Sequence, residues 1–295
     1  LNDPIKNIFK KKPIKIYNKI KNQKAIKDLM LRKKVDFLPI VNSSNKFVNF
    51  ITWDMINKKK ERIKKLKNID VVIMAGGKGT RLKPFTNILP KPLIPIDNKT
   101  VIEKIIDKFH NHGQKRFFIS INYKSKIIKS YFDEIGFKFD IKFIREKFPM
   151  GTIGCLKLIK KRLKNTIIVS NCDILMNFDF SSLVNFHYKN NFDITLVAAK
   201  KKIVLPYGIC KLSDKINLKA IEEKPTSKYI INTGMYVLKK NVLNLFPKKN
   251  KIDVDELISI LLKTKKKIGV FQINDNDWHD VGIWPKYKET INKIV

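Results

Sequence analysis

The residues best equipped for chemistry are Ala75-Gly76-Gly77-Lys78-Gly79-Thr80-Arg81, the acids Asp173 and Asp280, and the pair Glu223-Lys224. Three glycines within four positions let a backbone turn sharply and approach a ligand without Cβ obstruction. The freed N–H groups, with Lys78, Arg81, Lys83 and Lys91 close in sequence, suit a phosphate group. Two familiar phosphate loops are excluded by spacing. No glycine here fits G-x-x-x-x-G-K-[ST], and the dinucleotide pattern G-x-G-x-x-G meets Leu82 where its third glycine belongs.

Asp173 follows the apolar run Thr166 to Ser170, so its carboxylate is expected beyond a strand end, facing the glycine loop. A carboxylate there is a natural Mg²⁺ ligand, because Mg²⁺ takes one or two carboxylates plus phosphate oxygens. Asp280, in Trp278-His279-Asp280-Val281-Gly282, is the second candidate. Glu223-Lys224-Pro225 reads equally as a turn or as a ligand-binding pair. His110 and His112 are two apart on a helix and share no face, which makes them a poor metal pair. His187, between aromatic neighbours, reads as structural, and Cys172 has no basic partner that would mark a nucleophile.

These residues need a scaffold, and the chain supplies one. From Asn68 onward apolar runs of strand length alternate with helical patterns, the signature of a largely parallel sheet with crossover helices. Val71 to Met74 is the strand before the glycine loop. Thr100 and Glu103 form a capping box for a helix from Val101 to Asn111, stopped by Gly113. Further strands are expected at Phe117–Ile121, Ile141–Arg145, Asp193–Ala199, Gly208–Leu212, Thr233–Leu238 and Ile268–Ile273. A helix is expected from Ser125 to near Gly136, and Gly151-Thr152-Ile153-Gly154 is expected to open another that reaches Leu163. The overall expectation is an α/β fold, Rossmann-like, with a mixed, mostly parallel sheet over residues 69–295. Residues 1–57 read as a separate small α+β unit, with a helix near Asn22–Arg32 and two strands, Phe37–Val41 and Phe47–Ile51. Its second helix is expected to open near Thr52, and 58–68 reads as a basic linker.

The chain has 295 residues, enough for one large domain and something smaller. Its net charge of +36 invites a nucleic-acid reading. The lysines are spread through nearly every segment, however, with no nucleic-acid-binding signature. Such an excess alone gives only non-specific attraction, so nucleic acid is not the expected partner. Three cysteines without a C-x-x-C pair argue against a disulfide framework or zinc site and fit a cytoplasmic protein. No apolar run approaches the length of a membrane span, and no signal-peptide pattern opens the sequence.

From Gly77 to Ile96 the sequence reads G-x-G-T-R-L-x-P-x-T-x-x-x-P-K-P-x-x-P-I, and over these twenty positions it resembles the sugar-1-phosphate nucleotidylyltransferases. The resemblance implies the nucleotide-diphospho-sugar transferase fold and transfer of a nucleotidyl group from an NTP to a sugar 1-phosphate, with Mg²⁺ as cofactor. It implies nucleotide contacts at Ala75, Gly76, Gly77, Gly79, Thr80 and Gly151, the last in a segment similar to the family's P-L-G-T-A-G. Arg81 would steady the β- and γ-phosphates, Lys91 the α-phosphate, and Asp173 and Asp280 the metal. Glu223 and Lys224 match the family's E-K-P, which binds sugar hydroxyls and sugar phosphate. Tyr207-Gly208 and Asn232-Thr233-Gly234 match further sugar contacts. The N-terminal unit resembles a single CBS motif, with Leu38-Pro39-Ile40-Val41 as its first strand. It departs from that family's pattern at Asn49, and Asp54 follows Thr52 by two positions where three are usual. The combination is similar to a CBS-linked branch with glucosamine-1-phosphate guanylyltransferases serving surface glycans. That implies GTP with glucosamine 1-phosphate or a related hexose 1-phosphate; the CBS-like unit reads equally as an adenine-nucleotide site or as a structural or dimerising appendage, and a homo-oligomer is expected. The alternative from another class is a catalytically silent nucleotide-sugar-binding regulator.

Overall fold

The computed structural model describes residues 13–18, 22–53, 66–137 and 139–294. Two units, 1–62 and 63–295, form separate networks of contacts. Asp54 and most of the expected linker lie outside the described residues.

In the first unit β1 (Ile16–Tyr17) pairs parallel with β2 (Phe37–Val41), which pairs antiparallel with β3 (Phe47–Thr52). The helix Gln23–Lys33 lies between them in sequence. Ile26 and Met30, four residues apart, share one helical face and are buried with Ile16 and Leu38. Ala25, beside Ile26 in sequence, is exposed. β3 runs through Thr52; Trp53 after it is helical, and the rest of the helix expected near Thr52 falls outside the described residues.

The second unit is built on a seven-stranded sheet. Its strands are β4 (Ile69–Ala75), β7 (Arg116–Ile121), β8 (Asp140–Arg145), β9 (Thr166–Asn171), β11 (Ile194–Val204), β14 (Thr226–Lys239) and β15 (Ile268–Asn274), in the spatial order 15-11-14-9-4-7-8. Only β14 runs antiparallel to its neighbours. Short two-stranded ladders flank it: β5 (Pro95–Ile96) with β6 (Lys99–Thr100), β10 (Ile174–Met176) with β16 (Trp278–Asp280), and β12 (Ile209–Leu212) with β13 (Leu218–Glu222).

β4 is buried on both faces, which is why it reads as a continuous apolar run. Val71 and Ile73 face one core, with Phe109, Phe117 and Phe180, whereas Val72 faces a second with Phe118, Leu156 and Leu257. The helix Val101–Asn111 carries the expected capping box: Thr100 N–H donates to Glu103 at 2.7 Å, and Thr100 Oγ1 accepts from Glu103 N–H. The helix expected from Gly151 to Leu163 is different. Residues 151–155 form turns, an α-helix covers only Leu156–Ile159, and a 3₁₀ turn follows at Lys160–Arg162. The turns persist because their backbone groups bond across to another segment. Ile252 N–H donates to the Met150 carbonyl at 3.0 Å, and Ile153 N–H donates to the Ile252 carbonyl at 3.2 Å. Among the described residues no helix is long and apolar enough to cross a membrane.

Candidate active site

The chain passes from β4 to β7 and β8 on one side and then returns to β9 on the other side of β4, so the strand order reverses there. Ligands in open α/β sheets bind at the carboxyl ends of strands at such a reversal. The carboxyl end of β4 is Ala75, where the glycine loop begins, and that of β9 is Asn171, two residues before Asp173.

Gly79 takes a left-handed backbone, φ 65°, and caps the 3₁₀ turn Thr80–Leu82. A Cβ there would also lie 2.9 Å from both Lys91 Cβ and Thr86 Cγ2. Thr86 Oγ1 donates to the Gly79 carbonyl at 2.9 Å, which fixes the loop over Lys91. Lys91 in turn is ion-paired with Asp173, and both side chains are largely buried. Burial pulls the Lys91 ammonium down, yet Asp173 beside it, with smaller help from Cys172 and Asp280, leaves its pKa above the usual lysine value.

Asp280 arrives from a hundred residues away through the β10–β16 ladder, which sets it opposite Ile174, the neighbour of Asp173. Val281 N–H donates to the Asp173 carbonyl at 2.9 Å, and Gly282 N–H to Asp280 Oδ1 at 2.8 Å. Any side chain at Gly282 would collide with the Asp173 carboxylate and crowd Asp280 Oδ1 and Lys91 Nζ, each 3.0 Å from its Cβ. Lys91, Asp173 and Asp280 therefore meet at one point, and Gly282 leaves the room for it.

This point borders a cavity of about 330 Å³, lined among others by Gly77, Gly79, Glu146, Gly151, Asp173 and Lys251. Gly151 is held by its neighbour Thr152, whose N–H donates to Asp253 Oδ1 at 2.9 Å while its hydroxyl accepts from Val254 N–H at 2.8 Å. Glu146 escaped the sequence reading. It is buried, accepts from Ser120 Oγ and from Met150 N–H at 3.1 Å, and faces Gly76. Its position resembles that of Asp173, an acid just beyond a strand's carboxyl end, but β8 (Asp140–Arg145) alternates charged and apolar residues and gives no continuous apolar run to point to it.

The other expected residues are placed differently. Thr80 and Arg81 are exposed just past the loop and do not line the cavity. Tyr207, Gly208, Glu223 and Lys224 sit on an arm formed by the far halves of β11 and β14 and the β12–β13 hairpin. All four are exposed, with Gly208 packed against the Glu223 carboxylate. Asn232 donates to Tyr236 Oη at 2.8 Å, whereas Thr233 is buried and donates to the Val197 carbonyl at 2.8 Å. Cys172 is buried, and burial pushes its thiol up to about 12, so it is no nucleophile at neutral pH. Among the described residues no group of three or more His, Cys, Asp and Glu side chains converges as a metal cage. Asp173 and Asp280 form a pair of hard oxygen ligands, the donor set Mg²⁺ accepts when substrate phosphates complete its shell.

The family model for nucleotidyl transferases matches residues 70–295. The chain belongs to that family. This nucleotidyl transferase is 31% identical over 221 residues to the D-glycero-alpha-D-manno-heptose 1-phosphate guanylyltransferase of Campylobacter jejuni, covering 74% of this chain and 97% of that one. It is 35% identical over 224 residues to the mannose-1-phosphate guanyltransferase of Pichia angusta, where the match covers 72% of this chain and 60% of the relative. Among solved structures it is similar to HddC from Yersinia pseudotuberculosis, with a TM-score of 0.61 and 26% identity, covering 77% of this chain and 99% of that one. HddC has also been solved with GMP-PN. The matched region is the second unit, and its chemistry is sugar-1-phosphate nucleotidyl transfer.

Proposed function

We propose that the chain transfers a guanylyl group from GTP to a sugar 1-phosphate, with glucosamine 1-phosphate or a related hexose 1-phosphate as acceptor. The observation that carries the reaction is the meeting of Lys91, Asp173 and Asp280 beside the glycine loop. A phosphate oxygen of the sugar attacks the α-phosphorus in line. The new P–O bond forms as the bond to the β-phosphate oxygen breaks, and pyrophosphate leaves with the electron pair. No protein nucleophile is required, so positioning and charge stabilisation supply the rate. Lys91 holds the α-phosphate, and Arg81, exposed just past the loop, is assigned to the β- and γ-phosphates. Asp173 and Asp280 would hold Mg²⁺, which would neutralise charge on the phosphates.

Glu146 supports guanine. An ionised carboxylate only accepts hydrogen bonds, and guanine offers adjacent N1–H and N2–H donors on one edge. Uracil and thymine offer a single N–H between two carbonyls. The arm residues Tyr207, Glu223, Lys224 and Asn232 are assigned to the sugar 1-phosphate. Residues 1–57 are assigned, by their CBS-like hairpin, to an adenine nucleotide. Deleting the segment before Asn57 should then abolish any response of turnover to AMP or ATP, and an unchanged response would leave it no such role.

The test is pyrophosphate release with Mg²⁺ across GTP, UTP, dTTP, CTP and ATP against a panel of sugar 1-phosphates. Release with GTP and one hexose 1-phosphate is expected, and Glu146→Gln should erode the preference for GTP. Preference for another base overturns the guanine assignment. Binding without release from any pair would favour the silent regulator.

A further inference from the structure

The helix Val101–Asn111 has a second face, away from the core. Ile102, Ile105, Ile106 and Phe109 are buried, while Lys104 and Lys108 stand one turn apart on the outer side. Across from them are Asn177, just after β10, and His279 on β16. Together with Lys99 they enclose a cavity of about 540 Å³ floored by Leu175 and Met176, within the size range of small-molecule sites.

Its charges are not balanced. Asp107, the one carboxylate among the described residues that line the cavity, is bonded to Lys99 at 2.6 Å. Lys104 has Asp97 at 3.7 Å, a partly exposed pair that contributes little. Lys108 donates to Asn177 Oδ1 at 2.9 Å, an amide with no charge to offset it. Its pKa lies below the usual lysine value, through burial and then the charge of Lys104. Like charges four residues apart on a helix repel, so two ammonium groups beside a wall of asparagine amides are complementary to a dianion.

We propose that this cavity binds a phosphate-bearing small molecule, with the phosphate between Lys104 and Lys108 and the organic body toward Asn98 and Asn111. Phosphate fits better than a carboxylate because its double charge matches the two cations. The cavity is distinct from the catalytic cleft but shares a wall with it. His279 and Leu175 are register partners in the ladder that carries Asp280 and follows Asp173. A ligand against His279 touches the residue next to a catalytic acid.

The test titrates inorganic phosphate into the full chain in 0.15 M chloride and follows the histidine side-chain resonances by NMR, of which there are four to assign. A saturable shift of His279 is expected. Lys108→Gln should weaken it by ~10-fold or more, the size of one lost charge-assisted contact, and Lys104→Gln should act in the same direction. Both variants should keep wild-type turnover without phosphate. Lys78→Gln, in the glycine loop, should leave the His279 titration unchanged. The proposal is overturned by the absence of a saturable shift, by equal titration in Lys108→Gln, or by loss of the shift in Lys78→Gln, which would assign it to the catalytic loop.

Discussion

Asp173 is 17% exposed and ion-paired with Lys91, while Tyr207, on the arm, is 74% exposed. Around Asp173 the backbone is crowded on every side: Gly282 against both acids, Gly79 against Lys91, Gly151 against Ile252 and Asp253. Along the arm Ile203, Val204, Leu205, Leu218, Ile221 and Ile230 are all at least 41% exposed. The cleft already has the positions that developing charge on phosphate requires, and preorganised groups need no rearrangement when that charge appears. The arm still has burial and hydrogen bonds to gain. The difference teaches that the cleft is built by the fold, whereas the arm, under the proposed assignment to the sugar 1-phosphate, is left for its ligand to complete.

The largest effects should come from the crowded side. Asp173→Asn removes a candidate metal ligand and leaves Lys91 without its charge partner. A fall in kcat of ~10²-fold or more is expected, the size of one lost transition-state contact. Gly282→Ala should do comparable harm, because its methyl group cannot enter without moving the acids. Single-turnover pyrophosphate release measures both, and near-normal rates in either would mean that the cleft is not the preformed half.

Lys224→Ala probes the open side. The expected result is a rise of roughly 10-fold in the KM for sugar 1-phosphate, from one lost charge-assisted hydrogen bond, with the KM for GTP unchanged. An equal rise in both would break the comparison, since it would make the arm part of the nucleotide site.

How legible each region was follows the same division. The glycine loop, Lys91 and the capping box at Thr100 are local patterns, and the sequence displays local patterns directly. Asp173 could be placed because the apolar core of β9, Ile167 to Val169, marks a buried strand that runs out just before it. Asp280 could be named, but its position depends on the ladder between Ile174–Met176 and Trp278–Asp280, a pairing of three-residue strands about a hundred residues apart. Glu146 went unnoticed, though it stands after β8 as Asp173 stands after β9, because no glycine or metal argument led to it. Gly151 to Gly154 looked like a helix start because their bonds to residues 252–254 are invisible in a local pattern. β14 begins at Thr226, seven residues before the expected Thr233. Its first half, on the arm, lacks the buried face that would have marked it as strand.

The root of the arm offers the test with the least effect on catalysis. β11 starts buried, with Thr195 in the core, and becomes exposed toward Val204. At its buried end His187 Nδ1 and Thr195 Oγ1 are 2.8 Å apart, while His187 Nε2 is buried with no partner among the described residues. Burial lowers the His187 pKa from 6.5 to about 4, with Lys239 adding to the shift and Asp193 opposing it. The unfolded chain therefore takes up this proton at a higher pH than the folded one. The stability His187 supplies is complete above 6.5 and is lost as pH falls toward 4, by about 2 kcal/mol between pH 7 and pH 5. Urea unfolding of the wild type and His187→Phe at the two pH values measures the difference. The variant should lose most of that pH dependence while turnover at pH 7 stays within about twofold, because the cleft does not rest on this contact. An unchanged pH dependence would remove His187 from the account, and a collapse of turnover at pH 7 would show that the arm's root and the phosphate cleft are one mechanical unit.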